Sequence, residues 1–483
     1  MELRNEAWRE ELRQKMKAKD RMALTRVKMN ELDGDYRSNN SEEVNQGLNL
    51  QQAMAEAQRC LDCPNPSCMQ GCPVNIHIPD FIKNIERGEI LEAAKVLKQT
   101  SALPAVCGRV CPQERQCESK CVHLKSGHEA VAIGYLERFA ADYERESGKM
   151  SLPEVAPANN IKIAVVGSGP CGLSFAGDMA KYGYDVTVFE ALHEIGGVLK
   201  YGIPEFRLPN AVVDVEIENL KKIGVKFIKD CIIGKTITVE ELKEQGFRAV
   251  FVASGAGLPN FMRIPGENLI GIMSSNEYLT RVNLMGAAKN TTDTPVTIGR
   301  RVAVIGGGNT AMDSVRTARR LGAEKAFIVY RRSESEMPAR AEEVKHAKEE
   351  GVEFMTLHNP IEYKGDEKGR VCAVVLQKME LGEPDASGRR SPQPIPGAVE
   401  TIEVDEVIVS VGVSPNPLIP NSVEGLNVSR KGTIEVNDDL QSSIPTIFAG
   451  GDIVRGGATV ILAMGDGRKA AASMHAKIQK GEI

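Results

Sequence analysis

Two short apolar runs organise the chain. Ile161-Lys162-Ile163-Ala164-Val165-Val166 and Arg301-Val302-Ala303-Val304-Ile305 are each followed by a glycine turn and then by helical spacing. An apolar run without alternation predicts a strand buried on both faces, as in a parallel sheet. The two units start about 140 residues apart, which predicts a duplicated strand–turn–helix architecture. Near the end, Thr446-Ile447-Phe448-Ala449-Gly450-Gly451-Asp452 is a third strand ending in an acid, with a helix behind it. Its position predicts that the chain returns to complete the first of two α/β domains. Upstream, Asp80 to Lys98 and Glu129 to Arg145 have helical spacing, so residues 51–150 read as a small helical domain. Residues 1–50 are polar with mixed charge, an N-terminal extension whose first 19 residues suit an exposed amphipathic helix without chemistry of its own. The expected division is therefore 1–50, 51–150, a discontinuous domain of 155–295 and 425–483, and an inserted domain of 296–424.

The chain's 483 residues allow several cores. Sixty basic against 65 acidic residues give a net charge of −5 and no basic footprint for nucleic acid. No 18 apolar residues run together, so no membrane span is expected, and Met1-Glu2-Leu3-Arg4 leads into no signal-peptide core; the expected location is cytoplasmic. Aromatics are only 5% whereas Gly reaches 45, which favours parallel α/β layers with tight turns over a base-stacking platform.

The cysteines add chemistry. Eight of 11 lie between Cys60 and Cys121, in the runs Cys60-x2-Cys63-x4-Cys68-x3-Cys72-Pro73 and Cys111-Pro112-x4-Cys117-x3-Cys121, with Cys107 preceding the second. Without a secretory signal, such a cluster predicts metal binding over disulfides. Clustered thiolates with Cys-Pro steps match the ferredoxin arrangement, in which the last cysteine of a run ligates the other cluster, so two [4Fe-4S] clusters are expected. A pair of four-cysteine zinc sites is the alternative.

Gly167-Ser168-Gly169-Pro170-Cys171-Gly172 joins strand to helix, and Glu190 closes the next strand. This is the dinucleotide-binding context: Gly167 for the tight turn, Gly169 for close approach of a pyrophosphate to the helix N-terminus at Pro170, Gly172 for helix–strand packing, and Glu190 for ribose hydroxyls. The second turn is Gly306-Gly307-Gly308-Asn309-Thr310-Ala311, and its next strand ends in Arg331-Arg332 where an acid would stand. A carboxylate there would repel the 2′-phosphate of NADP, whereas guanidinium pairs with it. One dinucleotide is thus expected to be FAD and the other NADP(H); the plainer reading of Arg331 and Arg332 is solvated loop charge. The fold class is α/β, a helical iron–sulfur domain before two Rossmann-like domains. Cys171 has no second cysteine five residues on, so it is read as packing rather than as half of a redox dithiol. The seven histidines form no catalytic pair, and His77 and His123 are not expected to be ligands.

These residues resemble the glutamate synthase small-subunit family and, closer still, the large subunit of NADH-dependent reduced ferredoxin:NADP oxidoreductase. The likeness is carried by Cys60-Leu61-Asp62-Cys63, Gly71-Cys72-Pro73-Val74-Asn75-Ile76, Cys107-Gly108-Arg109-Val110-Cys111-Pro112, the run Tyr201 to Pro209, and Ala449-Gly450-Gly451-Asp452. The flavin half of dihydropyrimidine dehydrogenase is similar in plan. The resemblance implies that Cys60, Cys63, Cys68 and Cys111 hold one cluster, and that Cys72, Cys117 and Cys121 hold the other with Glu137 as a non-cysteine ligand; Cys107 is left over. It implies that Gly197, Arg207, Gly451, Asp452 and Thr459 line the flavin. It further implies an NADPH–FAD–[4Fe-4S] oxidoreductase subunit that needs no catalytic side chain and works with a flavoprotein or amidotransferase partner. With the former, NADH, ferredoxin and NADP would be linked by flavin-based bifurcation; with the latter, the product is glutamate. A non-catalytic electron-transfer or assembly subunit is the rival from another class.

Overall fold

The computed structural model describes residues 2–289, 292–384 and 388–483. Its helical domain is built from Leu50–Gln58, Ile78–Glu86, Ile90–Thr100, Pro104–Val110 and Ile133–Ser147. Phe81, Ile82, Ile85, Leu97, Leu103, Val106 and Leu136 form the shared core. Asn49 and Gln52 make a reciprocal capping box at the first of these helices, satisfying N–H groups that would otherwise lack partners. The stretch expected from Asp80 to Lys98 is two helices, because Gly88 turns the chain at φ +86° between them.

The N-terminal extension departs from the expectation of an exposed helix. Helices Ala7–Lys15 and Ala18–Ala23 lay Arg9 and Arg21 into the interior, each about 2% exposed or less. Arg9 pairs with Asp62 and Asp80, and Arg21 with Glu86 at 2.8 Å. Asp62 stands between Cys60 and Cys63 at a left-handed φ of +52°, fully buried, with Arg9 and Arg13 on its carboxylate. An isolated buried carboxylate would be costly, so the arginines belong to the cysteine loop's own structure.

The first sheet runs Ile447–Ala449, Phe247–Val252, Lys162–Val166, Asp185–Phe189, Lys226–Ile228, all parallel. The C-terminal strand thus completes the first domain, as its sequence position suggested. The second sheet runs Glu353–Thr356, Lys325–Tyr330, Arg301–Ile305, Glu406–Val409, Ile272–Ser274, also parallel. Ile272–Ser274 lies inside the 155–295 segment but pairs with Glu406–Val409, so the second domain begins before residue 296. A three-residue strand is too short for periodicity to reveal. The chain crosses between the domains beside the pairing of Leu258–Pro259 with Val413–Ser414. An antiparallel meander of His358–Gly365, Val371–Pro384 and Arg390–Glu403 extends the second domain.

Candidate redox site

The C-terminal ends of both sheets face one cleft of about 1640 Å³. This exceeds the roughly 300–1,000 Å³ of a single small-molecule site and leaves room for two dinucleotides. Gly167 turns at φ +99°, and a Cβ there would lie 2.6 Å from Ala253 O. Gly169, N-cap of the helix Pro170–Lys181, opens on space in which a Cβ would touch nothing within 4 Å, the cradle a pyrophosphate needs. The second turn repeats this: Gly306 at φ +144° would press a Cβ to 2.2 Å from Ser410 O, while Gly308 caps the helix Asn309–Arg320 and faces the cleft.

Glu190 is buried, and its carboxylate accepts from Ser168 N at 2.9 Å, from Ser168 Oγ, and from Leu192 N at 2.8 Å. Ser168 Oγ in turn accepts from Gly196 N at 2.9 Å, so Ser168, an x position of the glycine motif, holds turn, acid and Gly196-Gly197 together. Asp452 also lines the cleft; burial and the neighbouring Asp466 carboxylate push its carboxyl up to about 6. Thr459 caps the helix Val460–Gln479, its Oγ1 accepting from Leu462 N at 3.4 Å, and the helix start faces the cleft.

Of the residues expected at the cofactors, Gly167, Gly169, Pro170, Glu190, Gly197, Arg207, Gly306, Gly308, Asn309, Thr310, Arg331, Arg332, Asp452 and Thr459 line this cleft. Gly172, Ala311 and Gly451 do not: Gly172 packs against Gly167 O, Ala311 is fully buried, and Gly451 lies against Cys171. Arg207 reaches the wall, but its guanidinium is held by Asp313 at 2.7 Å and Glu343 at 3.1 Å, joining the first domain to the second. Arg389, which sequence reasoning missed, lines the cleft from the meander and donates to Tyr330 Oη at 2.9 Å, beside Arg331 and Arg332. It stands 59 positions from Tyr330, and no local pattern links them.

The cysteines fall into two adjoining groups. Ser67 Oγ donates to Lys120 O at 2.7 Å, which brings Cys68 beside Cys121. Cys68 feels the charges of Cys60, Cys121 and Cys63, whereas Cys117 feels Glu118, Glu137, Cys72 and also Cys68, and Cys111 feels Cys107, Glu137 and Cys117. These neighbours bring Cys121 toward Cys63 and Cys68, and Cys111 toward Cys117 and Glu137, the two groups adjoining at Cys68 and Cys117; in the sets implied by the resemblance Cys111 and Cys121 stand the other way round. Packing of the loop Ser67–Gln70 on Glu118–Lys120 decides this, and residue spacing does not encode it. Burial pushes the Cys60 and Cys72 thiols up to about 11, so metal must displace protons there.

Glu137 is buried and its Oε1 has no hydrogen-bond partner; burial, then the charge of Glu216, pushes its carboxyl up to about 8. An orphaned carboxylate oxygen among cysteines fits a metal ligand. Cys107 is fully buried with its Sγ 3.4 Å from Met464 Sδ, a packing environment. One tetrahedral zinc at Zn–S of about 2.3 Å would draw its sulfurs within about 4 Å of each other. Among the described residues only Glu31, Glu342 and His346 close to that kind of spacing, and those carboxylates already pair with Lys345 and Arg340.

Residues 37–149 match the family model described as dihydropyrimidine dehydrogenase domain II, 4Fe-4S cluster, and residues 161–467 that of pyridine nucleotide-disulphide oxidoreductase. With this cleft and these cysteines, the fold defines an NAD(P)H-dependent flavin and iron–sulfur oxidoreductase. The chain is 38% identical to the glutamate synthase [NADPH] small chain of Halomonas elongata, over 89% of this chain and 91% of that one. It is 36% identical to the NADPH-Fe(3+) oxidoreductase subunit beta of Geobacter sulfurreducens, over 89% and 66% respectively. The chain belongs to the glutamate synthase small-subunit family. In fold it is similar to Mycobacterium tuberculosis FprA, at TM-score 0.56 and 21% identity, covering 67% of this chain and 86% of that one.

Proposed function

We propose that this chain is a subunit that moves electrons between NADPH and a partner through FAD and two [4Fe-4S] clusters, one on Cys60, Cys63, Cys68 and Cys121 and the other on Cys72, Cys111, Cys117 and Glu137. When bound, these groups would supply the chemistry, two-electron exchange with NADPH at the flavin and one-electron transfer at the iron–sulfur groups. The observation that supports the order is position. Val110 and Pro112, which flank Cys111, line the dinucleotide cleft, and the helix Val460–Gln479 approaches Pro73, next to Cys72, so closely that a Cβ on Gly465 would lie 2.9 Å from Pro73 O. The second group is thus beside the flavin side of the cleft. Glu190 orients a ribose, the starts of Pro170–Lys181 and Val460–Gln479 present N–H groups, and Arg331 and Arg332 select the 2′-phosphate.

Two partners are consistent with this reading. A small flavoprotein would give bifurcating NADH/ferredoxin:NADP transhydrogenation, which the wording of the cysteine domain favours. An amidotransferase would give glutamate, which the end-to-end match to glutamate synthase small chains favours. Native copurification from the source cell, followed by assay of both products, separates them. The isolated chain is expected to reduce one-electron dyes with NADPH and to form no glutamate from glutamine; glutamate from the pure chain would overturn the proposal.

A further inference from the structure

One segment of chain touches both the second dinucleotide turn and the loop of the second cysteine group. Met337-Pro338-Ala339-Arg340 follows the strand Lys325–Tyr330. On the nucleotide side, Ala339 N donates to Gly307 O at 3.2 Å and Arg340 N donates to Asn309 Oδ1 at 2.9 Å. Pro338 also lines the cleft, 3.9 Å from where a Cβ on Gly308 would stand. On the opposite side, the Arg115 guanidinium donates to three successive carbonyls, Met337 O at 3.1 Å, Pro338 O at 2.9 Å and Ala339 O at 3.1 Å. The Arg340 guanidinium crosses the same boundary to Arg109 O at 2.8 Å and Gln113 Oε1 at 3.0 Å. Gln113 Nε2 then donates to Cys107 O and Gly108 O. Arg109, Gln113 and Arg115 bracket Cys111 and lead directly to Cys117.

We propose that this segment lets the Cys111–Cys117 loop sense nucleotide occupancy, with Arg115 and Arg340 as positioning residues. A pyrophosphate seated on Gly308 and Asn309 fixes the side chain that holds Arg340 N and the backbone that holds Ala339 N. The carbonyls of 337–339 are then fixed too, and with them the Arg115 fork and the loop that carries the cysteines. Most of these bonds land on backbone atoms, which have no rotamer freedom of their own; the exceptions are Asn309 Oδ1, Gln113, which is itself tied to backbone, and the Glu342 carboxylate that pairs with Arg340 at 3.0 Å. Binding linkage is reciprocal: if NADP+ alters the redox state favoured by the second group, that redox state alters NADP+ affinity by the same factor. The redox half of this inference rests on the proposal that Cys72, Cys111, Cys117 and Glu137 hold a cluster; the mechanical half concerns this chain's own loop.

Hydrogen–deuterium exchange on the loaded full chain, with and without NADP+, tests the mechanical half. In the wild type, NADP+ is expected to slow exchange at 107–117 as well as at 306–311. Arg115 is exposed, so Arg115→Ala should fold; it should keep the protection at 306–311 and lose most of it at 107–117, and Arg115→Lys should restore part of the latter. Protection confined to 306–311 in the wild type, or an undiminished effect at 107–117 in Arg115→Ala, overturns the proposal. NADP+ titrations against the oxidised and the dithionite-reduced protein test the redox half. The wild type should show a difference in affinity of about fivefold or more, the lower end of ordinary site-to-site coupling, and Arg115→Ala little. Equal affinities in both redox states with the exchange effect intact would overturn the redox half alone. Loss of neither cluster signal in Cys111→Ala would instead defeat the underlying cluster assignment.

Discussion

Replacing Arg331 and Arg332 by Ala should convert an NADPH enzyme into one nearly indifferent between NADPH and NADH. Both line the cleft at the end of Lys325–Tyr330, and they differ in setting: Arg331 is exposed, Arg332 half-buried. An exposed ion pair contributes about 0.2–1 kcal/mol. A charge-assisted hydrogen bond in a half-buried wall contributes about 1.5–3 kcal/mol. The double variant should therefore lose about 2–4 kcal/mol toward NADPH, roughly thirty- to several-hundred-fold in kcat/KM at about 1.4 kcal/mol per decade. Arg332→Ala should carry most of this and Arg331→Ala a few-fold. NADH has no 2′-phosphate, so its kcat/KM should move less than about threefold. Anaerobic stopped-flow bleaching of the flavin with each nucleotide is the direct assay. Two controls follow from the same physics. Raising salt should weaken NADPH and spare NADH, since exposed charge pairs are screened over about 8–10 Å at ordinary ionic strength. Lowering pH through about 6, where a phosphate monoester takes up its second proton, should erode wild-type selectivity. Arg389 at Tyr330 Oη is a third guanidinium at the same corner, so residual selectivity in the double variant should disappear in the triple. Equal loss for NADPH and NADH, or unchanged selectivity, would refute the assignment of this corner to the 2′-phosphate.

Glu137→Ala should remove or shift one of two cluster signals in potential-controlled EPR while Glu137→Cys keeps four irons with an altered potential; unchanged iron content and signals in both variants would exclude it as a ligand. Cys107→Ala should retain full iron because Cys107 packs against Met464, whereas Cys111→Ala should lose the second cluster; iron analysis of the pair decides between them. Arg9→Met leaves Asp62 buried with only Arg13, and removing one partner of a buried pair costs about 3–5 kcal/mol, so the first cluster should be lost faster to a chelator. The Cys60 and Cys72 thiols are held up to about 11 by burial, protons must therefore leave on loading, and cluster reconstitution should fall steadily as pH is lowered from 8.5 to 6.5; a pH-independent yield would contradict it.

What was legible in the sequence is what is local. Each glycine turn, its preceding strand and the acid or arginine pair at the next strand end sit within about 30 residues, the span over which a strand–turn–helix unit writes its periodicity. The partition of cysteines was not legible, because whether Cys111 or Cys121 stands beside Cys68 depends on Ser67 meeting Lys120 across the fold. The N-terminal extension was misread for the same reason. A polar, mixed-charge segment looks solvated until its partners are known, and those of Arg9 and Arg37 lie 53 and 313 positions away, at Asp62 and Glu350. Arg207 lines the cleft, but membership of a run that resembles a flavin-lining motif said nothing of Asp313 and Glu343 across the domain boundary.

These distant pairs have a common consequence for how the domains are held. Arg207 reaches Asp313 and Glu343; Arg316 sits between Glu343 and Glu350; Arg37, from the extension, closes on Glu350 at 3.0 Å and Glu349 at 2.7 Å. Arg37, Arg316, Glu343 and Glu350 are all buried, and the nearby guanidinium groups hold the Glu343 carboxyl down to about 2 although burial alone would raise it. Rotating the second domain away from the first would leave several of these charges unpaired before water could reach them, at about 3–5 kcal/mol for each broken pair. The extension therefore acts with Arg207 as a brace across three bodies: helical domain, flavin domain and nucleotide domain. A chain lacking residues 1–37 should test this separately from any redox property, since its second domain should become sensitive to protease at the Leu258–Pro259 and Val413–Ser414 crossing while the first sheet stays protected; equal resistance with and without the extension would show that Arg207 alone suffices.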